Sequence, residues 1–420
     1  MPTPSRSGAR PPLSERALLA VAAGFAALEG YDLSSYGATV PSLLADPGMT
    51  VSRATAGTVG SLVAVGMLVG AGCSGALTNR LGPRRLLLIG AAAFSLGMLV
   101  CALAPSFVLF GAARLMVGLG LGVVLPTLTG YVADLSSEHR RSRNVGLMMA
   151  GYATGALLAP LLGAALLPGA SWRWIYVVGG VPAVLLLPLA ARLLTESPVH
   201  LRRSGHGGGL LGLAPLLSRG VRAATLLFWV TSFCGLLLVF AVGTWLPTIM
   251  QASGYSIGSA LLQTAVMWVG AGAGMVAGGR IADGVGIKPV VVVAFLVGSA
   301  SLLGMSARPP LVALFLLMFV SGLGFIGSQV LTNAFIVTRY PEQLRGAGIG
   351  WALSVGRLGA ILGPSMGGWI LSSGLGVQWN FYLFAVPGLL GALAAVSVPA
   401  VLTSRGRLPV AAPPASSPAG

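Results

Sequence analysis

Residues 18–44 read LLAVAAGFAALEGYDLSSYGATVPSLL, an apolar run interrupted by two acids, Glu29 and Asp32. A run of this length and apolarity crosses a bilayer core as a helix. An ionisable group inside such a span is expensive and marks a functional site by default. The acids stand three positions apart, so they share one helical face. This stretch decides that the chain lives in a membrane and that its chemistry starts at Glu29 and Asp32.

The remaining composition agrees. Of 420 residues, 55% are hydrophobic and only 8% are charged. Soluble domains carry roughly a quarter charged residues, so that class is excluded. The formal charge of +16 does not indicate nucleic-acid binding, because the arginines cluster between apolar runs. About twelve spans are expected, near 17–43, 55–78, 86–104, 107–133, 144–167, 174–194, 223–250, 258–281, 289–306, 310–337, 346–372 and 378–402. The basic residues alternate between the two sides. One side holds Arg6, Arg10 and Arg16, then Arg80, Arg84 and Arg85, then Arg140, Arg141 and Arg143, and further groups up to Arg405 and Arg407. The opposite side holds only Arg53, Arg173 and Arg308, while Arg114 and Arg357 fall inside spans. An excess of this kind places the basic side, and both termini, in the cytoplasm.

The expected organisation is a cytoplasmic tail at 1–16, a six-helix bundle at 17–194 and a cytoplasmic linker at 195–222. A second bundle at 223–402 and a cytoplasmic tail at 403–420 complete it. The first tail is not expected to be a cleaved signal peptide, since the following run is too long and carries two acids. Cys73, Cys101 and Cys234 lie in spans and His139, His200 and His206 in or beside loops, without metal-ligand or disulfide spacing.

The halves repeat with an offset of 204 residues. Asn79 matches Asp283, Gly118-Leu-Gly120 matches Gly322-Leu-Gly324, and Arg141 matches Arg345; Gly155, Pro160 and Gly163 match Gly359, Pro364 and Gly367. Parallel six-span repeats build many secondary transporters, with substrate bound between them. The segment Ser204-Gly-His-Gly-Gly-Gly209 lacks the Lys-Ser/Thr ending of a phosphate-cradling loop, so ATP is not the expected energy source. The glycine runs at 118–122 and 270–274 are read as helix-packing stripes. No metal, prosthetic group or catalytic constellation is expected, so the chain is not read as an enzyme.

Five stretches carry a resemblance to known proteins. The loop Gly75…Asn79-Arg80-Leu81-Gly82-Pro83-Arg84-Arg85 resembles the G-x-L-x-D-R-x-G-R-R signature of the major facilitator superfamily, with Asn79 in place of the usual acid. Glu29-Gly30-Tyr31-Asp32 is similar to the D-G-Y-D motif of the aromatic acid:proton symporters within it. Arg114 through Pro126 with Asp134, Thr244-Trp245-Leu246-Pro247, and Tyr340-Pro341 through Gly356-Arg357 to Pro364 are similar to later motifs of the same family. The resemblance implies an all-α polytopic membrane protein of about twelve transmembrane helices in two pseudo-symmetric six-helix bundles. It implies uptake of a small aromatic carboxylate with a proton across the inner membrane, by a monomer with no cofactor and no nucleic-acid partner. It also implies gating by Asn79, Arg80, Gly82, Arg84, Asp134 and Asp283 at helix ends.

The charges define a mechanism to test. Adjacent carboxylates repel in low dielectric, which favours retention of one proton. Asp32 is the expected proton site, with Glu29 as its partner. Arg357 is the expected clamp on the substrate carboxylate, because guanidinium binds carboxylates bidentately. Arg114 serves as charge balance or second clamp. If all four are ionised the cavity is neutral, so one proton accompanies each monoanion. Tyr36, Trp245, Trp351 and Asn333 are further candidates for contacting an aromatic ring. A proton-driven exporter is the alternative. Its fifth-span motif is poorly matched by Gly155-Ala-Leu-Leu-Ala159-Pro160, and a better copy, Gly359–Gly368, lies in the eleventh span.

Overall fold

The computed structural model describes residues 15–137, 140–194 and 213–399. Nearly all of the expected tails and the glycine-rich part of the central linker lie outside these residues. Twelve long helices follow in order: α1 Glu15–Ala45, α2 Arg53–Leu81, α3 Pro83–Leu103, α4 Phe107–Leu135, α5 Arg141–Leu166, α6 Arg173–Leu193, α7 Arg222–Ala252, α8 Ile257–Val285, α9 Ile287–Ser306, α10 Leu311–Arg339, α11 Glu342–Ser372 and α12 Gln378–Ser397. A single-turn helix, Leu213–Leu216, precedes α7. No strand occurs among the described residues. A helix satisfies its backbone groups internally, which is what a lipid environment demands.

Eleven of the twelve are apolar and long enough to cross a membrane, which makes this a multi-pass membrane protein. The exception is α11, whose apolar character is diluted by Arg345, Arg357 and its glycines. Its 31 residues still span about 46 Å, and it packs between α2 and α7.

Local signals set the helix ends. Ser52, Ser106 and Ser256 each cap a helix by accepting the N–H three residues on, from Thr55, Leu109 and Ser259. Gly82 and Gly286 occupy the same unusual backbone conformation at the α2–α3 and α8–α9 turns, with φ of 80° and 88° and ψ of 153° in both. That region is essentially closed to a side chain. Gly82→Ala is therefore expected to destabilise the protein by about 1–3 kcal/mol, read as a lower melting temperature in detergent. An unchanged melting temperature would remove the conformational role.

Helix pairing repeats between the halves. The contacts α1–α5, α2–α4, α3–α4, α3–α6 and α1–α6 recur as α7–α11, α8–α10, α9–α10, α9–α12 and α7–α12. Small residues make the close seams. A Cβ on Gly118 would overlap the Val63 carbonyl of α2, and one on Gly322 would overlap the Met267 carbonyl of α8. Gly155 lies against Ala27 of α1, and Gly359 lies in the same way against Phe233 of α7. The 204-residue offset thus pairs equivalent contacts.

The halves meet along α2–α11, α5–α8 and α1–α7. Their contact is concentrated at one end, opposite the loops that carry Arg80, Arg84 and Arg85. There Arg53 donates to the Leu371 carbonyl at 3.0 Å, and Ser61 bonds the Ile361 carbonyl and the Ser365 hydroxyl. A Cβ on Gly37 of α1 would overlap the Gly243 carbonyl of α7. Toward the basic end, the Cβ positions of Gly72 and Gly75 on α2 and of Gly346 and Gly350 on α11 face open space. The bundle is closed at the poorly charged end and splayed at the basic end.

Candidate functional site

The motif Glu29-Gly30-Tyr31-Asp32 sits mid-way along α1, and its uncharged members fix its orientation. A Cβ on Gly30 would overlap the Tyr152 carbonyl of α5, so only glycine lets the two helices touch. Tyr31 donates its hydroxyl to the Ile175 carbonyl of α6 at 2.9 Å. With these faces committed, Asp32 is presented to α4. Its Oδ1 accepts from Arg114 Nη1 at 2.6 Å, and both side chains are buried, at 0% and 3% exposure. Arg114 also lies over the Tyr36 ring, 5.1 Å from its centre, while the Tyr36 hydroxyl donates to the Ala56 carbonyl of α2. Asp32, Arg114 and Tyr36 therefore tie α1, α2 and α4 together.

The other two intramembrane charges are arranged differently. Glu29 is 2% exposed, and neither of its carboxylate oxygens has a hydrogen-bond partner. Arg357, half-buried on α11, donates to the Met67 carbonyl of α2 across the junction between the halves. Glu29 and Arg357 act on each other electrostatically without forming an ion pair. Among these four groups, Arg114–Asp32 is the ion pair. The expected convergence of four charges is thus one tight pair plus two separated groups. Asp32 Oδ2 and Arg114 Nε are also buried without partners, so the pair is not saturated.

The aromatic and amide candidates divide. Trp245 is fully buried, its Nε1–H bonded to the Pro364 carbonyl at 2.7 Å and its ring packed on Gly367 and Gly368. Stacking on a substrate needs an accessible face, and in this conformation Trp245 is instead part of the α7–α11 seam. Tyr36 is likewise committed to Arg114 and Ala56. Trp351 is half-buried beside Trp229, with ring centres 6.1 Å apart, and the Trp229 Nε1–H has no partner. Asn333 on α10 is half-buried with an unpartnered Oδ1. Trp229 and Tyr152, the latter within electrostatic reach of Glu29, were not legible as site residues from sequence. An indole N–H in an apolar span that needs a partner was the one available signal for Trp229.

The expected gating residues lie at the basic end. Asn79, Arg80 and Asp283 are exposed, and Gly82 forms the strained turn described above. Arg84 donates to the Ala191 carbonyl of α6 at 2.6 Å, within its own half. The side chain of Asp134 lies outside the described residues. At the opposite end Asp46 accepts from the Trp172 indole at 2.8 Å and from the Gly48 N–H at 2.9 Å. These bonds hold its carboxyl below the usual carboxylate range. A depressed carboxyl contributes stability above its unfolded-state value and loses it only as pH falls through the folded value, so this strap survives mild acidification.

A bundle of apolar helices in two similar halves, with a buried charge pair at mid-depth, has the architecture of a membrane transporter. A profile of the Major Facilitator Superfamily matches residues 22–346 and 259–418, and the chain belongs to that superfamily. It is 36% identical to the gentisate transporter of Corynebacterium glutamicum, over 91% of this chain and 87% of that one. It is 31% identical to the benzoate transport protein of Acinetobacter baylyi, over 86% and 85%. A 4-hydroxybenzoate transporter of Pseudomonas aeruginosa is 30% identical over 84% and 85%. Among solved structures, a D-xylose-proton symporter superposes with a TM-score of 0.77 at 20% identity, covering 92% of this chain and 98% of that one, and shows the shared fold.

Proposed function

We propose that this protein imports a small aromatic carboxylate together with a proton across the cytoplasmic membrane, by alternating access between its two halves. The observation that carries the reading is the buried Asp32–Arg114 pair with an unpaired Glu29 one turn away and Arg357 across the junction. The relatives named for gentisate, benzoate and 4-hydroxybenzoate support the substrate class. The arginine-rich end is the cytoplasmic one, so the closed end faces outward and the conformation described opens inward.

The geometry supports exchanging the expected roles of the two acids. Asp32 already has an ion-pair partner, whereas Glu29 has none and, when ionised, is balanced only at a distance by Arg357. The proton therefore rides on Glu29, and the Asp32–Arg114 pair remains neutral as a unit. With Glu29 protonated, Arg357 is left as one uncompensated positive charge, which a carboxylate neutralises bidentately. When substrate and proton have left, Glu29 and Arg357 balance each other. Both the empty and the doubly loaded site are neutral, and either half-loaded site is charged. A charged site resists occlusion, which couples the two fluxes.

The reading is tested by uptake of labelled benzoate and 4-hydroxybenzoate into proteoliposomes with and without an imposed inward proton gradient. Accumulation that appears only with the gradient is the expected result. Uptake indifferent to the gradient would end the symport reading, and efflux driven by it would favour the exporter.

A further inference from the structure

We infer that the closed end carries a second, outer binding site for the carboxylate anion, built on Arg53 and the N-terminus of α2. A cavity of about 460 Å³ opens there between the halves, lined by Pro41, Leu44, Ser52, Arg53, Thr248 and Gln251. It is separate from the buried charges at Asp32 and Glu29. Three features suit it to a small organic anion.

Arg53 supplies the charge. Of the described cations at this end, Arg173 is held by the Ala102 and Ala104 carbonyls, both at 2.8 Å, and by the Trp172 ring. The acid there, Asp46, is occupied by Trp172 and Gly48. Arg53 lines the cavity itself and uses its Nη1 on the Leu371 carbonyl at 3.0 Å. The first turn of α2 adds backbone N–H groups and the positive end of a 29-residue helix dipole. Thr248 adds a hydroxyl: it is 6% exposed, lines the cavity, and its Oγ1 has no partner. Apolar walls from Pro41 and Leu44 suit a ring.

The Arg53–Leu371 bond also joins the halves. A carboxylate is a stronger acceptor for guanidinium than a backbone carbonyl. An anion arriving from outside thus competes for Arg53 with the bond that helps hold this end closed. The site gathers substrate before the outer side opens, and its charge draws anions over roughly a Debye length, about 10 Å at 0.1 M salt.

The inference rests on the import reading, and two measurements separate them. In transport, Arg53→Gln is expected to raise KM for benzoate about five- to tenfold with Vmax within twofold, and Arg53→Lys to restore most of the loss. Raising ionic strength should raise the wild-type KM and leave that of Arg53→Gln unchanged. A fall in Vmax at constant KM would make Arg53 a latch only and overturn the site. In the second measurement, Gln251→Cys in a Cys73→Ser background is labelled with an impermeant maleimide. Benzoate should slow labelling several-fold when Arg53 is present and not with Arg53→Gln. Protection without any transport would uphold the site and end the import reading; transport without protection would do the reverse.

Discussion

Asp32→Asn is expected to abolish gradient-driven accumulation of the aromatic acid. The substitution preserves shape and removes the charge that holds Arg114 at 2.6 Å in a site with 0% and 3% exposure. Breaking a buried pair by removing one partner costs about 3–5 kcal/mol, because the remaining charge is stranded. A loss of uptake could then reflect a destabilised protein, and a control resolves this. In the double variant Asp32→Asn with Arg114→Gln, both charges go together and two amides can bond each other. Its melting temperature should return most of the way to wild type, since replacing a whole buried pair is often close to neutral. Accumulation should remain absent in it, because Glu29 then gains and loses its proton without the neighbouring charges of Asp32 and Arg114. Wild-type accumulation by Asp32→Asn would overturn the role of the pair.

Glu29→Gln is expected to separate transport from energy coupling. An amide imitates the protonated carboxyl, cannot release a proton, and adds no buried charge. The unpartnered oxygens of Glu29 mean that no ion pair is lost, so stability should change by less than in Asp32→Asn. Exchange of labelled for unlabelled acid across the membrane should persist within a few-fold. Net accumulation against a concentration difference should fall to the level seen without a gradient. Should Glu29→Gln keep full gradient-driven accumulation, the proton would have to be carried elsewhere, and Asp32 would be the next group to test.

These two variants differ because burial and pairing are different properties. Both acids are buried, and from the sequence both are simply acids within one apolar run, three residues apart. Only the position of Arg114 on a neighbouring helix distinguishes them. The same applies to Arg357, whose expected carboxylate partner is replaced by the Met67 carbonyl while one end of the junction is closed. An arginine that alternates between a backbone carbonyl and an anion is a means of linking occupancy to the junction between the halves. Arg53 and Leu371 repeat that arrangement nearer the surface.

The sequence by itself determined that the chain is a helical membrane protein, that its halves repeat, and which four charges lie within the membrane. Hydropathy, spacing and the positive-inside bias are one-dimensional quantities, and bilayer thickness converts them directly into spans. It also marked Gly82, whose strained turn requires glycine, and the paired glycines at 118 and 322, whose seams match. The span at 346–372 was legible as well, although α11 is the least apolar of the twelve, since helix packing rather than lipid contact suits its glycines and arginines. The tertiary structure alone decided which acid meets which arginine, that Trp245 is spent on the Pro364 carbonyl, and which end is closed. Those outcomes depend on the rotation and depth of one helix against another. A shift of a single residue moves a side chain about 100° around its helix, and no periodicity in one chain records that choice.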